Sequence, residues 1–172
     1  GPDVPSIVDI AEVLSLEAHD IASDPLPAAV SCGVPFLFVM LRNLDALARA
    51  QTRREAWERT LAGKWAPQLY LLAPPDDGSS TTYRARMFAP AMGIDEDPAT
   101  GAAATALAGY LAPLGAEASG TLHWSVDQGV EMGRPSRLEV EADLSESVVT
   151  GIRVSGSSVL VSRGEMKIPE EV

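Results

Sequence analysis

Hydrophobic positions divide the chain into short segments of two kinds. Ile7, Ile10, Val13 and Leu14 recur at helical spacing within 7–21, which predicts a short helix there with Ser6 as its cap. Ala22–Pro27 reads as a loop. The apolar runs Ala28–Cys32 and Pro35–Leu41 are strand-like and are divided by Gly33. The second run lacks alternation, so it predicts a strand buried on both faces. Asn43–Ala50 and Arg53–Leu61 read as helices. The latter has a solvated face of Arg53, Arg54, Glu55, Glu58 and Arg59, with Trp57 turned inward. Gln68–Leu72 and Thr81–Phe88 predict two strands, paired as a hairpin across the turn-rich Pro74–Ser80. Further on, Gly115–Gly120 is a loop, and Thr121–Val126 and Arg137–Ala142 alternate as strands do. Val148–Val154 and Ser157–Ser162 predict two more strands around Ser155-Gly156, and Pro169–Val172 frays.

The segment between these halves has neither pattern. From Ala99 to Ala112 it holds seven alanines, two glycines, two leucines, two threonines and one tyrosine, with no charged residue. A helix without a polar face is normally buried all round. At about fourteen residues, ~21 Å, it is too short to span a membrane. Its small side chains let other backbones come close. The expected fold is therefore one α+β domain over 1–172, with six to eight strands around a central apolar helix at about 99–112.

A tight acidic turn, Gly93–Asp97, precedes that helix, with Asp97 as its expected N-cap and Pro98 at its first position. The first N–H groups of a helix have no internal partners, and the helix dipole adds positive charge there. Gly101 would let an anion approach the backbone closely. The first amides of the helix, those of Thr100, Gly101 and Ala102, are candidate ligands of an anion, with the ionisable Asp97 at the same end. Read alone, Asp-Pro before a helix is more often a cap than a catalyst.

Composition narrows the partners. A length of 172 residues buries about 70% of the unfolded chain's surface. The net charge of −11 argues against nucleic acid and anionic membranes, since both need basic surface. It leaves room for a small anionic substrate held by backbone N–H groups. The single cysteine, Cys32, precludes an internal disulfide and reads as a buried, inert thiol. His19 and His123 lack ligand spacing, and there is no metal cluster, dinucleotide fingerprint or P-loop, so no metal or cofactor is expected. With no signal or transmembrane run, the expected location is the cytoplasm. Gly1-Pro2 reads as a cleavage scar.

Three blocks then point to a family. GIDEDPATGAAATALAGYL closely resembles the PhzF-like signature, G-I-x-E-D-P-A-T-G-S-A followed by an alanine-rich helix. The upstream RMFAP and the downstream Gln128-Gly129 and Met132–Ser136 resemble the same family in the same order. That family resembles diaminopimelate epimerase in fold, with two lobes, each a curved sheet around a central helix, and the active site between them. The resemblance covers nearly all of this chain but only the C-terminal lobe of the usual protein. It implies cofactor-free proton transfer at carbon, an isomerisation or epimerisation, in which Asp97 takes part. It also brings Gln128 and Gly129 near the substrate.

One departure is Ala102, where the family usually has serine. The family's principal base, a glutamate, and an accompanying histidine lie in the first lobe; His19 and His123 match neither. Arg134 either lines the cleft and pairs with an anionic group or, the reading favoured slightly, belongs to a turn entering a strand, in a structural ion pair; Arg86 reads as the ion-pair partner of Asp95 or Glu96. The expected partner is a first-lobe chain, or a second copy through self-association. The alternative function is a non-catalytic lobe with a decayed site, binding a small anion or a protein.

Overall fold

The computed structural model describes residues 4–75 and 81–167. Four α-helices are present among them, α1 (Ile7–Leu14), α2 (Leu44–Arg49), α3 (Arg54–Thr60) and α4 (Gly101–Leu111). The strands are β1 (Ala28–Ser31), β2 (Pro35–Met40), β3 (Gln68–Ala73), β4 (Thr82–Ala89), β5 (Ile94–Asp97), β6 (Gly120–Gln128), β7 (Ser136–Ser145) and β8 (Val148–Gly156). They form one mixed sheet in the order β1-β2-β3-β4-β6-β7-β8, with β5 paired to β4. Only β2 with β3 and β4 with β6 run parallel. The sheet curls into a half-barrel around α4, which touches β1 and β2 on one side and β7 and β8 on the other.

Alternation in the strands divides the interior into two cores. Phe36, Phe38, Tyr70, Leu72, Ala85 and Met87 face α4, where they join Trp124, Val126, Val140 and Ala142. Leu37, Val39, Leu69, Leu71 and Phe88 face the other way, against α1, α2 and α3. The Pro35–Leu41 run is thus buried on both faces, as its lack of alternation predicts. The strands β6, β7 and β8 cover only the α4 side. Their outer face carries a charge ladder in which Arg153 pairs with Glu141 and Asp143, and Arg137 with Asp127. Ser6 caps α1 by accepting the Asp9 N–H, and the Trp57 indole turns inward to donate to Pro67 O.

Several expectations need correction. The acidic turn is strand in all but Gly93: Ile94–Asp97 pairs antiparallel with β4. Ser157–Ser162 forms no strand; β8 ends at Gly156, and Val159, Leu160 and Val161 are exposed. The run after Ser155-Gly156 predicts a second strand, but no strand edge among the described residues receives it. Cys32 is exposed because it lies past the end of β1, beyond the cover of either core. The expected hairpin loop falls largely at 76–80, outside the described residues, though β3 and β4 do pair antiparallel. The residues 1–3 and 168–172, with the expected scar and frayed end, also lie outside them.

One buried cation ties the layers together. Arg86, on β4, meets Glu96 of β5 in two parallel contacts of 2.8 Å. Its remaining arm donates to the carbonyls of Leu47 and Ala50 at 2.9 and 2.8 Å and to Ala48 at 3.3 Å. These carbonyls lie at the end of α2, where helical partners run out; among the described residues, only Leu47 O is also reached by a backbone donor, the Ala50 N–H at 3.3 Å. The guanidinium also lies over the Phe88 ring. Glu96, of the two acids considered, is the one that pairs with Arg86.

Replacing Arg86 strands both an acid and a helix end. We expect Arg86→Met to lower stability by about 3–5 kcal/mol in urea unfolding. Arg86→Lys should recover little, because an ammonium cannot reproduce the planar fork. A loss below about 1 kcal/mol for Arg86→Met would show that the carbonyls and Glu96 find water instead.

Candidate functional site

The site forms where one strand hands over to another. The first half of β4 pairs with β6, and Ala85 opposes Gln128, the last residue of β6. The second half pairs with β5, and Met87 opposes Asp97, the last residue of β5. The ends of β6 and β5 therefore meet beside β4. On the far side of β4, Tyr70 opposes Met87. Tyr70, Met87 and Asp97 thus form one row across three strands, on the face turned to α4. Glu96, one residue earlier, falls on the opposite face with Arg86.

Asp97 is not the helix cap. Its backbone belongs to β5, and α4 begins only at Gly101, with Thr100 as N-cap and Pro98 outside the helix. Strand pairing with Met87 holds Asp97 in the sheet and delays the helix by three residues. The Thr100 hydroxyl reaches back and donates to Asp97 Oδ2 at 2.6 Å, and does not cap forward. Asp97 is half-buried.

Gln128 is completely buried and closes the arrangement. Its Nε2 donates to Asp97 O at 2.7 Å and to Thr100 Oγ1 at 2.9 Å. Its Oε1 accepts from Thr100 N at 3.2 Å and from the Tyr70 hydroxyl at 3.1 Å. The Thr100 amide, expected to face an anion, is thus already donated within the protein. Burial pushes the Tyr70 phenol well above its ordinary pKa, and the Asp97 carboxylate adds to the push. Tyr70 was missed in the sequence, although a phenol within an aliphatic strand has to find a partner for its O–H.

The start of α4 is otherwise open. Gly101 and Ala102 are exposed, and a Cβ on Gly101 would meet nothing within 4 Å. Their N–H groups have no carbonyl four residues back in the helix. The helix is not buried all round: Gly101, Ala102 and Gly109 leave an exposed strip of small residues. Gly129 adopts φ +77°, and a Cβ there would lie 2.7 Å from Pro98 O and 2.4 Å from Arg134 O. It brings the turn after β6 hard against the Asp97-Pro98 segment. Arg134 is exposed and makes no ion pair among the described residues; its backbone N–H closes that turn on Gly129 O. His123 lies on the outer face beside Glu141, and His19 lies in a short 3-10 turn; neither joins the site.

A curled mixed half-barrel sheet closed on an apolar helix defines the PhzF-like α+β fold. A phenazine biosynthesis protein of the PhzF family from Bacillus anthracis superposes with a TM-score of 0.70 at 23% identity, over 82% of this chain and 48% of that one. A predicted epimerase from Pseudomonas aeruginosa gives 0.65 at 31% identity, over 92% of this chain and 54% of that one. Residues 3–164 match the phenazine biosynthesis-like protein family (PhzC-PhzF), and the chain belongs to that family. Among similar proteins, an uncharacterized isomerase of Mesorhizobium japonicum is 32% identical over 92% of this chain and 54% of its own length. The trans-2,3-dihydro-3-hydroxyanthranilate isomerase of Pseudomonas fluorescens is 42% identical over 87% of this chain and 51% of its own. The chain spans about half the length of these relatives.

The two glycines at the site make opposite forecasts. Gly129→Ala should cost more than about 1 kcal/mol in urea unfolding and shift the amide NMR signals of 97–101, because the backbone must move. Gly101→Ala should leave stability equal or slightly raised, since alanine is the better helix former and the space is open. Equal stability of the two variants would show that the Gly129 turn yields without strain.

Proposed function

We propose that the chain is the second lobe of a PhzF-like isomerase that moves a proton between carbons of a small carboxylate-bearing substrate without a cofactor. The observation that carries this reading is a half-buried acid, Asp97, bonded to the N-cap Thr100 of a helix whose Gly101 and Ala102 amides have no partner among the described residues. Proton transfer between carbons needs a group that accepts a proton and one that returns it. Asp97 is the group this lobe contributes. The two amides hold the substrate carboxylate and steady charge that develops beside it. Substrate proximity assigned to Gln128 and Gly129 is indirect, through the shape they give to 97–100. The name of the Pseudomonas fluorescens relative supports an anthranilate-like acid as the substrate class, and the family's description supports a role in biosynthesis, which we assign to secondary metabolism.

The lobe leaves its site open. Asp97 does not line the cavity formed by Ala50, Thr52, Arg86, Phe88, Pro90 and Glu96. Met92 and Ile94, just before it in the chain, are exposed, as is the small-residue strip of α4. We assign these surfaces to a first lobe, on another chain or in a preceding segment, that completes the cleft. This chain alone should therefore bind a first-lobe chain tightly, or self-associate, in sedimentation. A well-behaved monomer without affinity for a first lobe would count against that assembly.

The chemistry is tested in the two-lobe enzyme by deuterium uptake from solvent into substrate. Asp97→Asn should slow uptake by roughly a hundred- to ten-thousand-fold. The fold should persist, because an asparagine oxygen can still accept the Thr100 hydroxyl. Activity should survive chelators and need no added nicotinamide or pyridoxal phosphate. Wild-type uptake in a normally melting Asp97→Asn variant would reduce Asp97 to a structural group. A second reading rests on Ala102, which lacks the hydroxyl usual at that position: a non-catalytic lobe that binds an anion or a protein. Ala102→Ser separates the two, since it should be tolerated or faster in a working enzyme and should generate nothing in a decayed one.

A further inference from the structure

We propose that Gln128, Thr100 and Tyr70 are positioning residues that lock Oδ2 of Asp97 and leave Oδ1 as the oxygen that meets the substrate; this rests on the proton-transfer reading above. The directions of the hydrogen bonds carry it. The Asp97 backbone carbonyl can only accept, and the Thr100 backbone N–H can only donate. Together they fix which end of the Gln128 amide is oxygen and which is nitrogen. Nε2 then has one proton for Asp97 O and one for Thr100 Oγ1. Since Thr100 Oγ1 receives that proton, its own hydrogen is committed to Asp97 Oδ2, at 2.6 Å. Oε1 has two lone pairs, taken by Thr100 N and the Tyr70 hydroxyl.

All four hydrogen-bonding positions of the buried amide are filled from within the protein. Gln128 therefore has nothing left to offer a substrate, and its contribution passes through Thr100. A glutamate could not replace it, because both donors would be lost and a charge would be buried beside Asp97. The network is closed and buried at its base, with Tyr70 and Gln128 fully enclosed and Thr100 7% exposed. Only its last member, Asp97, reaches the open side. A carboxylate tethered at one oxygen and pinned at its backbone carbonyl has little freedom to rotate. The second oxygen, which has no hydrogen-bond partner among the described residues, is thereby held in a single orientation, as a near-attack geometry requires.

The test uses three variants and two readouts. Thr100→Val keeps shape and removes the hydroxyl, Thr100→Ser keeps the hydroxyl, and Tyr70→Phe removes one outer contact. The first readout is the Asp97 χ1 rotamer population in this chain, from Hα–Hβ couplings, and it needs no catalysis. Wild type and Thr100→Ser should show one rotamer, Thr100→Val an averaged mixture, and Tyr70→Phe a smaller loss of order. The second readout is deuterium exchange in the two-lobe enzyme. Thr100→Val should lower kcat about ten- to a hundredfold with KM within twofold, and Thr100→Ser should return kcat to within about threefold. Thr100→Val should add nothing to Asp97→Asn, since both act through one group. A single Asp97 rotamer in Thr100→Val overturns the proposal, as does a raised KM with kcat unchanged, which would make Thr100 a substrate contact. If Asp97→Asn exchanges normally, the proton-transfer reading falls, and the rotamer populations still decide whether the network positions Asp97.

Discussion

The fold depends on burying a helix built mostly of alanine and glycine. Such a helix presents little apolar area per turn, so it gains stability only if neighbouring strands approach its backbone closely on most sides. A flat sheet offers one face. The sheet here curls until both of its ends, β1 and β8, touch α4. The limit of that approach is visible at Gly109, where an added Cβ would lie 2.9 Å from Val30. Curling leaves one narrow strip of the helix uncovered, and it is the strip that begins with Gly101 and Ala102. The same packing demand that shapes the core therefore leaves the start of the helix accessible.

A second constraint acts on β4. One edge of a strand can pair with only one neighbour at a time, and β4 gives the first half of that edge to β6 and the second to β5. Where the neighbours change, backbone groups lose their ladder partners. Asp97 O and Thr100 N stand at that gap, and a buried glutamine side chain supplies what the ladder no longer does. The amide suits this place because it carries donors and acceptors together and no charge. Burying it fully is tolerable only because every valence is met. Gly129 follows at once, since only a residue without Cβ can turn back against Pro98 there.

Much of this was legible in the sequence, and the misses share a cause. Helical and strand periodicities located α1–α3 and most strands, because those segments bury one face or two in a regular way. The absence of any pattern in 99–112 located the central helix for the opposite reason. The Asp-Pro pair misled, because capping preferences are local and strand pairing is not. Asp97 has the right residue type for a cap, but its pairing with Met87 is a long-range fact of register. Ser157–Ser162 misled in the converse way: the apolar run Val159–Val161 is there, but β8 ends at Gly156 and no described strand pairs with it. The exposure of Cys32 and the part played by Tyr70 depend on which strand lies next to which. Short windows of sequence do not carry that information.

Glu96 and Asp97 make the point most sharply. They are adjacent, similar in chemistry and equally acidic in sequence. Strand geometry sends them to opposite faces of the sheet. On one face Glu96 meets a guanidinium in two parallel contacts, and its charge is matched by a cation that also closes the end of α2. On the other, Asp97 meets only a hydroxyl and the neutral groups behind it. A paired carboxylate surrounded by backbone is committed to structure. One held by a neutral donor at a single oxygen, near an open helix start, keeps its other oxygen without a partner among the described residues, which the proposed chemistry requires. What separates the two acids is therefore the alternation of a four-residue strand, and a register slip of one residue would exchange their roles. The Arg86 anchor that fixes Glu96 guards against that slip, so the stability of the layer behind the sheet and the placement of the acid in front of it are set by the same ion pair.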